Sequence, residues 1–356
     1  MSKFTLPTME RHQTRTQLRL MELGITLLIS MIVILNASNF WNAPTPLNHH
    51  NPSLHSSWGY TSSDIEIHSK ADWETYSAQN EFIQIEQSQY IIENCSLIAA
   101  HLNITYTNMS VIIRNCYFEN TDYGISIENC GHITIVNNTI NMSAGAGISI
   151  QSGEQNITYI TLHNNSLYST ASGLMVYGDI YEQNTDISHL TITNNTIKNT
   201  SSNYGLLITK CHNASVRHNH ISNSASGIGL FANICSNITI SQNVFEDDDI
   251  IYLFHHDESE WLYNNISIIN GTNIRNGKPI IVYQDQETPP SSQPQEIGQL
   301  ILLNCSNLTL QEINAPILTY YSTNLTVQNN TITNAFVGIL LQGSSTTIFN
   351  STNYIT

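Results

Sequence analysis

From residue 64 onward, apolar residues recur at every second position over short segments, and the helical spacing is absent. The segments form a repeating unit: Gly, an alternating strand, a turn, a second strand, and a close on Asn-Asn-Thr-Ile or a variant of it. GISIENCGHITIVNNTI begins at Gly124, and GISIQSGEQNITYITLHNNSL at Gly147. GLMVYGDIYEQNTDISHLTITNNTI begins at Gly173, GLLITKCHNASVRHNHI at Gly205 and GIGLFANICSNITISQNVF at Gly227. These starts are separated by 23, 26, 32 and 22 residues, the longest interval containing an inserted loop. GILLQGSSTTIF at Gly338 and LTVQNNTI at 325–332 extend the pattern, and IIENCSL (91–97) and IIRNCYF (112–118) mark upstream copies. Short strands at this period, with no helix, predict a single-stranded right-handed parallel β-helix over residues 64–356, an all-β solenoid of roughly ten coils. Ile, Val and Leu then face inward, and Thr, Ser and Asn face outward. A leucine-rich repeat has a similar period, but its Leu-rich consensus is missing.

Coil geometry assigns the paired asparagines a structural task. A coil must bend sharply, Asn tolerates the left-handed conformation, and identical amides in neighbouring coils can stack into a ladder. Each Asn-Asn-Thr is also an N-glycosylation acceptor pattern. Because the fold alone explains an Asn at that bend, and an inward-facing Asn cannot be modified, the expected glycosylation candidates lie elsewhere. They are Asn103, Asn156, Asn213, Asn237 and Asn324, expected ahead of the second strand.

The N-terminus follows another pattern. Lys3, Arg11, Arg15 and Arg19 precede LGITLLISMIVIL at 23–35, an uncharged apolar run of 13 residues. That is a basic region (1–22) followed by a hydrophobic helix (23–36) acting as a signal peptide or signal anchor. Both readings stand, because Leu35 and Trp41 spoil the cleavage sites before Ala37 and Ala43. Either way the remainder is expected on the extracellular face of the membrane or secreted, with the membrane as a partner only through this segment. Residues 37–63, with Pro44, Pro46 and Pro52, read as a flexible tether.

Composition sharpens this picture. Charged residues make up 11% of the 356, and the net charge is −16. With 11 Lys and Arg in total, several of them before residue 20, a nucleic-acid surface is excluded. Polarity is carried by uncharged Asn, Ser and Thr. Of the six cysteines, Cys95 and Cys116 lie one coil apart at matching positions, a candidate disulfide. No CxxC or Cys/His metal spacing occurs.

Candidate chemistry concentrates in two insertions. FEDDDIIYLFHHDESEW (245–261) holds Asp247, Asp248, Asp249, His255, His256 and Asp257, a density able to bind a divalent cation or to supply an acid and a base. The competing expectation is a solvated loop between coils. QDQETPPSSQPQEIG (284–298), with Asp285, is a Pro-rich loop able to wall a groove, or simply a tolerated insertion. Beyond that cation, no cofactor is expected.

The Gly-strand-turn-strand-Asn-Asn-Thr-Ile units resemble the right-handed parallel β-helix repeats of the pectate-lyase-like superfamily. NIRNGKPIIVYQDQE (273–287) followed by GQLILLNCSNLTL (298–310) resembles the NosD-like group within it. The resemblance implies the fold. It also implies carbohydrate-active enzymes among the relatives, and for NosD-like proteins a role in copper maturation. Asn120-Thr121-Asp122 with Gly124 is similar to the first polygalacturonase motif, but the later Asp-Asp, Gly-His-Gly and Arg-x-Lys motifs do not follow. The arginines of the repeat region, Arg114, Arg217 and Arg275, sit in no acidic motif such as pectate lyases carry. The expectation is a non-catalytic binding or structural protein facing polysaccharides or surface glycans. A lyase, hydrolase or epimerase is the alternative, and metal handling the third. The sequence stops within a coil at IFNSTNYIT, and two readings stand: end-to-end self-association at an uncapped C-terminus, or an incomplete gene.

Overall fold

The structure is a computed structural model that describes residues 59–107, 109–178, 186–253, 266–268, 270–287, 296–333, 335–344, 347–349 and 354–355. The hydrophobic N-terminal segment and its basic flank lie outside them. Residues 54–356 form one compact unit.

The alternating segments are strands, and they wind as coils. In each regular coil the chain visits three sheets in turn. Ile125–Glu128, Ile133–Val136 and Thr139–Ser143 make up one turn, and Ala146–Ser152, Ile157–His163 and Ser166–Tyr168 the next. The sheets hold thirteen, nine and eight strands, called here sheets I, II and III. Neighbouring coils pair in parallel and in register: Ile133 lies beside Ile160, Ile160 beside Leu190, and Ala214 beside Ile238. Inward columns therefore form, with a register shift between Ile228 and Leu230 where Asp249–Leu253 joins sheet III. Ile135, Leu162, Ile192, Val216 and Ile240 are all fully buried in one continuous core. A single coil leaves that face open, so burial comes from its neighbours, at about 25 cal/mol per Å² of apolar surface covered.

The unit-start glycines Gly124, Gly147, Gly173 and Gly205 have a packing cause, and in the next coil Gly229 takes that place while Gly227 lies in the left-handed region (φ 66). A Cβ on Gly173 would fall 2.2 Å from the Gly205 carbonyl oxygen and 2.3 Å from Ile197 Cγ2. The strand passes too close to the next coil for any side chain.

Three features depart from the sequence expectation. The first strand, β1 (Gly59–Thr61), lies inside the segment read as a tether and pairs with Cys95–Ile98. A helix, α1 (Lys70–Gln79), sits between β2 (Ile65–Ile67) and β3 (Ile83–Glu86), where no helical period was read. Ser69 caps it by accepting from the Asp72 N–H, and Trp73 stacks on Tyr90 with ring centroids 4.1 Å apart. Because β1, β2 and β3 are the terminal strands of their sheets, α1 covers the open end of the first coil. Finally, the solenoid does not run unbroken to the end. Ile274–Arg275 pairs antiparallel with Lys278–Gln284 through Asn276 (φ 49) and Gly277 (φ 77), a two-residue turn with both φ positive. Beyond this hairpin the strands enclose a second, smaller core containing Leu300, Leu302, Leu310, Ile317, Leu325 and Val327.

Candidate functional site

Each corner of a regular coil begins with a residue in the left-handed region. At the corner joining sheet II to sheet I these are Asn94, Asn115, Asn137, Asn164, Asn194, His218 and Gln242. The next residue turns inward and is buried: Cys95, Cys116, Asn138, Asn165, Asn195, Asn219 and Asn243, with Asn273 continuing the column after Thr272. The inner amides form a ladder. Asn165 Oδ1 accepts from Asn138 N at 3.1 Å and from Asn138 Nδ2 at 3.0 Å. Asn138 Nδ2 also donates to the Ile113 carbonyl at 3.0 Å. The same three bonds recur at Asn165, Asn195, Asn219 and Asn243 (2.9–3.1 Å), and Cys116 N donates to Asn138 Oδ1 at 2.9 Å. Every rung satisfies backbone groups that the bend leaves unpaired.

This arrangement corrects the reading of the acceptor asparagines. Within Asn-Asn-Thr the acceptor is the first Asn, and at Asn137, Asn164, Asn194 and Asn329 that residue is exposed. The inward residue is the second one. The outer asparagines hydrogen-bond along the solenoid as well, Asn164 Nδ2 to Asn137 Oδ1 at 2.7 Å and Asn137 Nδ2 to Asn115 Oδ1 at 3.3 Å. Of the candidates named from sequence, Asn156, Asn213, Asn237 and Asn324 are exposed, while Asn103 is half-buried and donates to Glu66. Asn103, Asn213 and Asn237 lie within strands rather than ahead of them.

The aspartate run belongs to the corner between sheets I and III, and its members part ways. Asp247 is the exposed left-handed residue (φ 57), and its N–H donates to Asn276. Asp248 is the inward residue, in line with Thr121, Ser143, Thr170, Thr200 and Ser224, and is fully buried. It accepts from Ser224 N at 2.9 Å and from Ser224 Oγ at 3.1 Å, and burial pushes its carboxyl up to about 6. Asp249 is buried too. Its Oδ1 takes Arg275 Nε at 2.6 Å and its Oδ2 takes Phe336 N at 3.0 Å, and burial still raises its pKa despite the guanidinium. Beside it, the buried Gln299 side chain bonds both the N–H and the carbonyl of Ile250. Asp249, Arg275 and Gln299 fasten the second core to the end of sheet III, whereas Asp248 ties its corner to the preceding coil. The expectation of a solvated loop fails for Asp248 and Asp249. Asp285 is another exposed left-handed corner residue, bonded to Asn304 and Gln284. His255, His256 and Asp257 lie outside the described residues. The described carboxylates Asp247, Asp248, Asp249 and Asp285 thus have different partners.

Charged side chains gather instead at a place the sequence reading missed, on the outward side of sheet III beside α1. His101 Nε2 lies 2.6 Å from Glu66 Oε1, and His101 Nδ1 lies 3.2 Å from Asp64 Oδ1. Glu66 Oε2 receives Asn103 Nδ2 at 2.8 Å and lies 3.3 Å from His68 Nε2, while His68 Nδ1 is 2.8 Å from Thr105 Oγ1. Asp72 accepts the His68 N–H, and that bond, with the Ser69 hydroxyl, lowers its carboxyl. Asp64, Glu66, His68 and His101 come from two coils, and the register Glu66 beside Asn103 was the available signal. No arrangement of three or more His, Cys, Asp or Glu suited to a metal ion occurs among the described residues.

Sheet II presents a different outward surface. Thr134, Thr161, Thr191, Ser215 and Thr239 form one column in register, with Val136, His163, Thr193, Arg217 and Ser241 beside it. At its edge Tyr159, 55% exposed, packs between His132 and His189 with centroids 4.9 and 4.7 Å away.

The stacked parallel sheets, three corners per coil and an inward amide ladder define a parallel β-helix. The family model described as right handed beta helix region matches residues 72–179 and 123–355, and the chain belongs to that family. No curated protein matches the sequence.

Proposed function

We propose that this protein is a non-catalytic binding or structural β-helix, held outside the cell by its N-terminal segment and facing an extended glycan. The observation that carries the reading is the outward surface of sheet II, where each coil repeats a hydroxyl in register from Thr134 to Thr239. A repeating polymer laid along the solenoid meets the same hydrogen-bonding group at every coil. Such a surface recognises shape and hydroxyl pattern rather than charge, which suits a neutral polysaccharide. Meanwhile, of the carboxylates named as catalytic candidates, Asp247, Asp248 and Asp285 sit at corners and Asp249 pairs with Arg275. The basic flank and apolar run at 1–35 support the extracellular location, and the exposed acceptors Asn137, Asn164 and Asn194 support a glycosylated surface. The test is a glycan array together with a polysaccharide-degradation screen. Binding without cleavage is expected, and Thr161→Lys with Thr191→Lys should weaken it at least tenfold without lowering Tm. Binding unaffected by that pair of changes would refute the assigned surface.

One observation favours a second reading. The Asp64–His101–Glu66–His68 chain is partly open to solvent and could serve acid–base chemistry on a carbohydrate. Polysaccharide cleavage abolished by Glu66→Gln would establish it. The NosD-like resemblance implies copper handling, for which the described residues offer no ligand cluster. Stoichiometric copper in the purified protein would reverse that ranking.

A further inference from the structure

Two pairs of cysteines meet across neighbouring coils, at different corners. Ser96 pairs in register with Tyr117, which sets Cys95 beside Cys116, and their sulfurs are 3.0 Å apart. Likewise His212 pairs with Ser236, which sets Cys211 beside Cys235, and their thiols hydrogen-bond. All four are buried, and each follows a left-handed residue, namely Asn94, Asn115, Lys210 and Ile234. They thus occupy the inward corner position filled elsewhere by Asn, Ser or Thr. The remaining two cysteines act as internal controls. Cys130 donates to the carbonyls of Ile104 and Glu128, Cys305 to those of Tyr283 and Leu303, and neither faces a cysteine in an adjacent coil.

We propose that Cys95–Cys116 and Cys211–Cys235 close into two inter-coil disulfides, while Cys130 and Cys305 remain thiols. Adjacent in-register strands lie about 4.8 Å apart, inside the Cα separation that a disulfide spans. The oxidant is a low-molecular-weight disulfide such as oxidised glutathione. One thiolate of the pair attacks it to give a mixed disulfide and one released thiol. The second thiolate then displaces the remaining glutathione, so that one S–S bond forms, another breaks, and two reduced glutathiones leave. Timing follows from burial. The contact with Cys116 and then burial raise the Cys95 thiol well above its ordinary range, and burial and then Cys235 do the same for Cys211. Thiolate is therefore scarce once the coils have stacked. The bridges form as neighbouring coils meet during folding, and afterwards the core shields them from reductant.

The full chain, secreted to an oxidising compartment or refolded with reduced and oxidised glutathione, is unfolded in excess iodoacetamide without reductant, digested and mapped by mass spectrometry. Cross-linked peptides joining Cys95 to Cys116 and Cys211 to Cys235 are expected, with alkyl groups only on Cys130 and Cys305. Alkylation of any of the four in most molecules, or a link to Cys130 or Cys305, would overturn the assignment. As a second readout, Cys116→Ser and Cys235→Ser should each speed proteolysis of the oxidised protein severalfold and leave the reduced protein unaffected relative to its own parent. Cys130→Ser should alter neither the linkage map nor that ratio. Equal effects in oxidised and reduced protein would assign the cysteines to packing alone. Since the oxidant is supplied, the outcome is independent of the proposed extracellular location.

Discussion

The regular coils, whose inward amide recurs downstream at Asn330, and the joint at Asn276 are held together by different chemistry. Upstream, one neutral rung repeats: an outward left-handed residue, then an inward amide that bonds the coil on either side. Downstream, the chain reverses through Asn276-Gly277 and closes a separate core. Its attachment to the end of sheet III uses a buried glutamine and the buried Asp249–Arg275 ion pair, whose carboxylate also takes the Phe336 N–H and whose guanidinium reaches the Gly298 carbonyl. Repetition lets each backbone group find a partner by translation. Where translation stops, the edge of Asp249–Leu253 still needs partners, and charged and amide side chains from distant sequence supply them. Among the described residues, the buried charges Asp248, Asp249 and Arg275 gather where the repeat ends.

Breaking the joint should have the largest effect. Arg275→Met leaves the Asp249 carboxylate buried without its guanidinium, at a cost of about 3–5 kcal/mol. Hydrogen exchange should then show the second core opening while the Asn ladder stays protected. Asn195→Leu attacks the other region: it strands the Asn165 N–H and the Leu162 carbonyl, at about 1–3 kcal/mol for each group left unsatisfied. Here chemical denaturation should reveal loss across the regular coils instead.

Asp248→Asn sharpens the contrast by giving the last regular corner before the joint a neutral inward amide like those of the ladder. The Asp248 carboxyl titrates at about 6 against an ordinary 3.8, so the native state holds its proton more tightly than the unfolded chain. Its contribution is present below 3.8, declines as pH rises through that window, and is lost above about 6. The substitution should therefore stabilise the protein above that pH, by up to about 3 kcal/mol, and flatten the dependence across the window. Thermal melts at several pH values report both. The smallest effect concerns the outer corner. Asn164→Gly should fall within about 0.5 kcal/mol of the parent, whereas Asn164→Ala should cost about 1–2 kcal/mol for its left-handed backbone.

The alternation of Ile and Thr revealed the solenoid because register makes the coils alike. It failed at the corners for a definite reason. Val136 and Asn137 both point outward, since a left-handed residue inserts an extra outward step before Asn138 turns in. Period-two counting loses its phase there, which is how the acceptor asparagines were taken as inward-facing. The aspartate run was misjudged similarly: matched to Asn223-Ser224, Asp247-Asp248 is an ordinary corner with its second residue inside. Helix α1 has too few apolar residues to show a stripe, but Ser69 with Asp72 was a readable cap. Asn276-Gly277 is a strong hairpin signal, overridden by the surrounding repeat. The Asp64–Glu66–His68–His101 cluster could not be seen from local sequence, because its members meet only once two coils are stacked.

The ladder also makes the coil a unit of evolutionary and engineering change. Excising Thr139–Asn165 would carry Asn138 onto Asn195, with its donors meeting the same acceptor and no strand register disturbed. Loss of a few residues within a strand would break its register, whereas the corners absorb differences in length, as units of 22 to 32 residues that keep their register show. Chain length along this solenoid is therefore tolerated in whole turns or at corners and penalised within strands, so lineages should differ in coil number and corner length more readily than in strand length.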